Sequence, residues 1–345
     1  MTKPRPIGTG SYVARRPPKE QLSLFGEPSI EPVEDPLEIR FASLRSIADR
    51  LPEQVKFGTS SWSFPGWADI VYPRNVSMSA LSREGLPLYV KHPLLRTVGI
   101  DRGYYAAIPE DDLRHYANQL PTGFPTVAKV PAAFTTPIHL GHGSSARGTP
   151  NPSFLDAKAF TDTVARPFLA AFREHTGALV LEFPLLPRGH RLPPNAFADR
   201  LDDFLKQIPA ELPYCVELRD RDLLTPAYAQ VLAHHSVAHV FNYWTAMPLP
   251  ADQLPIAPLD SAPFVVLRLM LRPGTQYAKR KESFAPFDSI VEPDEEMRQQ
   301  VVDLIELARS LNRVALVLVN NKAEGSAPLT IEQLAQLIVG RANTY

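Results

Sequence analysis

The chain has 345 residues, of which 36 are proline and 17 glycine. That composition excludes collagen, which needs glycine at every third position, and argues against a flexible Gly/Ser chain. Lysine plus arginine number 36 against 37 aspartates plus glutamates, which excludes nucleic-acid binding by bulk charge and leaves only a local basic groove open.

Residues 1–36 come first in the chain. They are rich in proline and in charges of both signs, with few aliphatic residues outside one cluster. This is the pattern of a disordered or extended tail. An amphipathic stretch over 37–51, with Ile39, Phe41, Leu44, Ile47 and Ala48 on one face, predicts a helix leading into a single domain over 37–345. From Val55 onward, eight apolar runs of strand length recur, at 55–60, 94–101, 126–130, 178–183, 214–219, 238–243, 264–270 and 314–320. Helical patterns follow most of them, at 110–120, 156–175, 196–207, 225–234, 294–311 and 330–339, with a weaker one near 78–91. A proline-rich loop follows the sixth run.

Strands alternating with helices predict the α/β class and a parallel sheet covered by helices. Eight is the number that closes a TIM-like (β/α)8 barrel. The alternative is an open doubly wound sheet, which usually carries a glycine-rich phosphate loop after its first strand. Here SSWSFPGW follows instead, so the barrel is favoured. No run of 18 apolar residues predicts a membrane span, and the N-terminus lacks a signal-peptide core. The one cysteine, Cys215, forms no internal disulfide, which fits a cytoplasmic location.

In such barrels the site lies at the C-terminal ends of the strands. Those ends carry Thr59 to Trp62, Asp101 with Tyr104 and Tyr105, Lys129, Glu182, Glu217 with Arg219, Asn242 to Trp244, Arg268, and Asn320 with Asn321. In the fifth run, Val216 and Leu218 share one face and Glu217 and Arg219 the other. The covering helices take the apolar face, so the charged pair points into the barrel. Lys129, Arg219 and Arg268 against Asp101, Glu182 and Glu217 make three cations and three anions. They either pair internally or hold a phosphate or carboxylate. The expected catalytic residues are Glu217, Glu182 and Lys129. The expected ligand-binding residues are Thr59, Trp62, Asp101, Tyr105, Arg219, Arg268 and Asn320. Long segments after three strands, 131–155, 244–263 and 271–291, lie on the same face. The last is basic through Arg272, Lys279, Arg280 and Lys281, which are more often a solvated charge run.

No metal site is expected. His139 and His142, in HLGH, are too few ligands for a tetrahedral ion. His234, His235 and His239 fall at the opposite end of the barrel and are read as structural or surface residues. The cofactor is left open.

These residues resemble the family called domain of unknown function 72, or YecE-like. The resemblance runs over about 57–338 and rests on several separated motifs. They are GTSSW at 58–62, Tyr72-Pro73, RTVGID…YY at 96–105, Phe124 with Lys129, VELR at 216–219, the arginine of VLRL at 266–269 and VNN at 319–321. The resemblance implies a TIM-like barrel and supplies no activity. Two positions depart from the family pattern: Gly99 stands where glutamate is usual, and Met270 where histidine is. Both remove an ionisable group from the mouth.

In the tail, Gln21-Leu22-Ser23-Leu24-Phe25 resembles the pentapeptide by which bacterial polymerases and repair proteins dock on the DNA sliding clamp. An extended peptide would insert Leu24 and Phe25 into an apolar cleft while Gln21 adds hydrogen bonds. The resulting expectation is a barrel tied to DNA replication or repair, binding a nucleotide, nucleic acid or other phosphate-bearing ligand and hydrolysing it. The alternatives are an enzyme of sugar or organic phosphates with no nucleic-acid role, and a non-catalytic adaptor.

Overall fold

The computed structural model describes residues 35–140 and 147–341. Eight strands close into one parallel barrel in sequence order: β1 (Val55–Thr59), β2 (Thr97–Ile100), β3 (Thr126–Lys129), β4 (Thr176–Phe183), β5 (Tyr214–Leu218), β6 (Ala238–Tyr243), β7 (Phe264–Leu269) and β8 (Val314–Val319). β8 returns to pair with β1 from Val55↔Ala315 to Thr59↔Val319. A parallel strand covered on both faces reads as a nearly continuous apolar run, which is why each run in the sequence marks its strand.

Alternation sorts the side chains. Val216, Leu218, Leu179, Leu181, Leu267 and Val317 join the outer core beneath the helices. Val127, Val180, Cys215, Val240, Val266 and Leu318 form a separate inner cluster that fills the lower barrel. Burial pushes the Cys215 thiol pKa well up, so this side chain packs as an inert apolar group.

The helices depart from the sequence reading in several places, including 156–175, where Ala157–Phe160 and Arg166–Ala171 are separate α-helices. The leading helix is Pro36–Ala48; it buries Leu37, Phe41, Leu44 and Ala48 but leaves Ile39 exposed. The weak pattern near 78–91 is two short helices, Met78–Glu84 and Leu86–Tyr89, divided at Gly85. Within 271–291, read as loop, lies the helix Tyr277–Phe284. Half of its eight residues are charged, so apolar periodicity could not reveal it. Buried Arg280 anchors it by donating to the carbonyls of Lys322 at 3.1 Å and Ala323 at 2.8 Å. No helix among the described residues is long and apolar enough to cross a membrane.

Candidate functional site: the charged mouth of the barrel

Continuing each inner row upward by two residues, or four for Arg219, replaces the apolar layer with a charged one. Lys129 follows Val127, Glu182 follows Val180, and Glu217 and Arg219 follow Cys215. Asn242 follows Val240, Arg268 follows Val266 and Asn320 follows Leu318. The register places Glu182 beside Glu217 on adjacent strands, an arrangement of like charges that is unfavourable unless cations bridge it.

The cations do bridge it. Arg219 Nη2 lies 2.6 Å from Glu217 Oε1 and 3.1 Å from Glu182 Oε2. Arg268 Nη1 reaches Glu217 Oε2 at 2.5 Å and Glu182 at 3.6 Å, while its Nη2 donates to both oxygens of Asp101 at 3.0 and 3.1 Å. Lys129 Nζ sits 2.8 Å from Glu182 and 3.7 Å from Asp101. Asn242 Nδ2 donates to the Leu218 carbonyl at 2.7 Å. Each cation thus meets at least two carboxylates, and the formal charges cancel.

Burial alone would raise the Glu182 carboxyl pKa. Arg219, Lys129 and Arg268 outweigh it and hold the group well below the usual carboxylate range. Burial likewise opposes the charge on Arg268, but Asp101, Glu217 and Glu182 raise its pKa still further. These groups stay ionised because they face one another.

Above this layer opens a cavity of ≈ 540 Å³. Asp101, Lys129, Glu182, Arg219 and Asn320 form its polar lining; Tyr104, Tyr105, Trp244 and Tyr277 supply rings. Trp244 lies over the Arg219 guanidinium at 4.0 Å, and Tyr104 faces Lys129 Nζ at 5.1 Å. The Tyr104 hydroxyl pKa is pushed up to about 12, by burial first and by Glu182 next. Among the described residues, Arg219 Nε and Nη1 have no hydrogen-bond partner.

Of the residues expected to be catalytic, Lys129 and Glu182 line the cavity. Glu217 does not: it is fully buried, with an arginine on each oxygen. Among the expected ligand-binding residues, Asp101, Tyr105, Arg219 and Asn320 line the cavity. Arg268 lies under it, fully buried. Thr59 and Trp62 face elsewhere. Thr59 Oγ1 is tied to the Ser61 carbonyl and the Tyr89 hydroxyl. Trp62 is buried, donates to the Leu81 carbonyl at 2.8 Å and packs edge-on against Tyr116. Its motif stabilises the turn after β1 and leaves the ring unable to stack on a ligand in the mouth. Tyr277 is the lining aromatic ring that sequence reasoning missed, because its helix was missed; Pro184, Leu185, Thr245 and Ala246 were missed too. Gln21, Leu22, Ser23, Leu24, Phe25 and His142 lie outside the described residues.

Both family-pattern departures have a structural counterpart. Gly99 is packed so closely against β1 that a Cβ there would meet the Ser60 carbonyl oxygen at 2.6 Å. Met270 lines the cavity and accepts a long contact, 3.6 Å, from the Ser60 hydroxyl.

A closed eight-stranded parallel barrel with a charged layer at the C-terminal ends of its strands defines the class. Residues 56–344 match the family described as "Protein of unknown function DUF72", and the chain belongs to that family. Its fold is similar to a DUF72 family protein of Thermotoga maritima MSB8, at 18% identity and TM-score 0.54, covering 82% of this chain and 98% of that one. It is similar also to a DUF72 family protein of Enterococcus faecalis V583, at 16% identity and TM-score 0.53, covering 83% and 95%. No curated protein matches the chain.

Proposed function

We propose that the mouth binds a small, uncharged, ring-bearing molecule of sugar or nucleoside type. The observation that carries this is the cancellation of charge: Lys129, Arg219 and Arg268 already face Asp101, Glu182 and Glu217 within 4 Å. A phosphate-bearing ligand, the expectation from sequence alone, would add negative charge beside Glu182 and Asp101, with only Arg219 Nε and Nη1, unpartnered among the described residues, to receive it. Hydroxyl groups fit without added charge. Glu182 and Asp101 accept from them, Lys129 donates to them, and the rings of Trp244 and Tyr104 offer flat apolar faces.

For hydrolysis, the arrangement disfavours Glu182 as the group that takes a proton. A carboxylate held so far below its ordinary pKa is a weak base. Glu217 positions Arg219 and Arg268 and has no free oxygen to offer.

A thermal-shift screen tests the reading, since a ligand bound only by the native state raises Tm. Neutral sugars and nucleosides are run beside their phosphate monoesters. The expected result is a rise with the neutral compounds that is lost in Lys129→Ala and Arg219→Ala. A rise confined to the phosphate esters would restore the phosphate reading.

A link to DNA replication or repair rests on QLSLF alone. Pull-down of sliding clamp by the tail peptide, compared with its Phe25→Ala version, decides it: equal recovery removes the link.

A further inference from the structure

A second cluster lies at the opposite face of the barrel and does not depend on the mouth. The helices Pro194–Leu205 and Pro226–His235 pack side by side and both end on that face. At their ends Asp202, His234 and His235 each offer one ligand atom, and these atoms lie within 4.8 Å of one another. Asp202 Oδ1 meets His235 Nε2 at 2.7 Å. The His234 and His235 rings stand edge to face, with centroids 4.8 Å apart.

Three features suit this cluster to a cation. The last carbonyls of a helix carry partial negative charge, which favours a positive ion there. Two imidazoles and one carboxylate form the donor set of an open zinc-type site, which uses three protein ligands and leaves a fourth position for water or an exogenous group. Finally, a cavity of ≈ 360 Å³ adjoins the cluster, lined by His235, Ser236, Leu205 and Tyr214. Tyr214 is 5% exposed, and its hydroxyl has no partner among the described residues. A hard cation such as Mg²⁺ or Ca²⁺ would prefer an all-oxygen set.

We propose that Asp202, His234 and His235 bind a divalent transition metal ion of the zinc class, with its open position toward this cavity. The ion takes the place of the hydrogen between His235 Nε2 and Asp202 Oδ1, and its insertion moves these two atoms slightly apart. Lys206 pairs with the other oxygen, Asp202 Oδ2, and its half-exposed side chain either stays there or swings into solvent. The ligating nitrogens must be free of hydrogen.

The full chain, stripped of metal, is titrated with Zn²⁺ against a chromophoric chelator. In parallel it is titrated with Co²⁺ while visible absorption is followed. Wild type is expected to take up one ion with a Co²⁺ ligand-field spectrum. His234→Ala alters an exposed side chain, leaves the fold intact, and is expected to weaken uptake by at least about tenfold. His139→Ala leaves uptake unchanged. His235→Gln, followed also by its melting curve, separates loss of a ligand from loss of structure. No uptake by wild type, or equal uptake by wild type and His234→Ala, overturns the proposal.

Discussion

The lower and upper halves of the barrel interior are built on the same strands with the same alternation, yet they differ in chemistry. Below, Val127, Val180, Val240, Val266 and Leu318 fill the space with apolar side chains. Above, Lys129, Glu182, Glu217, Arg219 and Arg268 occupy the next inward positions, almost equally buried. An apolar layer is favourable wherever it is dry. A buried ionic layer is at best neutral against apolar side chains of similar volume, because desolvation offsets the attraction. The lower half is accounted for by packing, whereas packing alone does not account for the upper half, to which the proposed function gives a ligand.

Arg268→Met should show the largest effect. It leaves Glu217 with one cation and Asp101 with Lys129 alone, so the native state is expected to lose about 3–5 kcal/mol in urea unfolding. Leu318→Ala tests the lower half. It leaves a dry cavity and should cost about 2–5 kcal/mol with ligand response retained. If Arg268→Met proved neutral, the two halves would not differ as described.

Acid titration separates the halves by pH. The folded-state pKa of Glu182 is depressed, so its stabilisation is present above the ordinary carboxylate pKa of about 4.3 and is lost progressively as pH falls below it. The stability difference between wild type and Glu182→Gln should therefore shrink below that pH and persist above it. His239, buried outside the barrel wall against Tyr228 and Gln253, acts in a higher window. Burial lowers its pKa to about 4. Stability is present above its ordinary value of about 6.5 and is lost as pH falls toward 4. Denaturation midpoints against pH should show both windows in wild type and a diminished lower one in Glu182→Gln, where Asp162 and Asp202 keep their lowered pKa.

The smallest stability effect is expected for Tyr105→Ala. The side chain is 86% exposed at the cavity rim, so stability should stay within about 0.5 kcal/mol of wild type. Ligand response in the thermal-shift screen should fall. A change in stability without a change in ligand response would place Tyr105 in the scaffold.

The sequence made the barrel legible because parallel strands are apolar on both faces and prolines and glycines bound them. The charged layer was legible at β5, where Glu217 and Arg219 alternate with Val216 and Leu218. What alternation could not show is who pairs with whom. Arg268 reaches across the barrel to Asp101, 167 positions away in the chain, and such closure is invisible in any local window. The same limit misplaced Trp62 and Thr59. Their residue types suit a ligand, but the turn after β1 directs one to Leu81 and the other to Tyr89 and Ser61. The helix Tyr277–Phe284 escaped because a buried arginine anchors it where an apolar stripe would be sought.

The most direct test removes the accessible ion pair from the mouth and leaves the remaining charges balanced. In Lys129→Met with Glu182→Leu, Asp101 and Glu217 still face Arg219 and Arg268. Unfolding free energy and ligand-induced Tm shift are measured together on this double variant. The account predicts unchanged or higher stability with the ligand shift abolished. A loss of several kcal/mol, on the order expected for a broken buried pair, with the ligand shift intact, would show that the charged layer closes the barrel and holds no ligand.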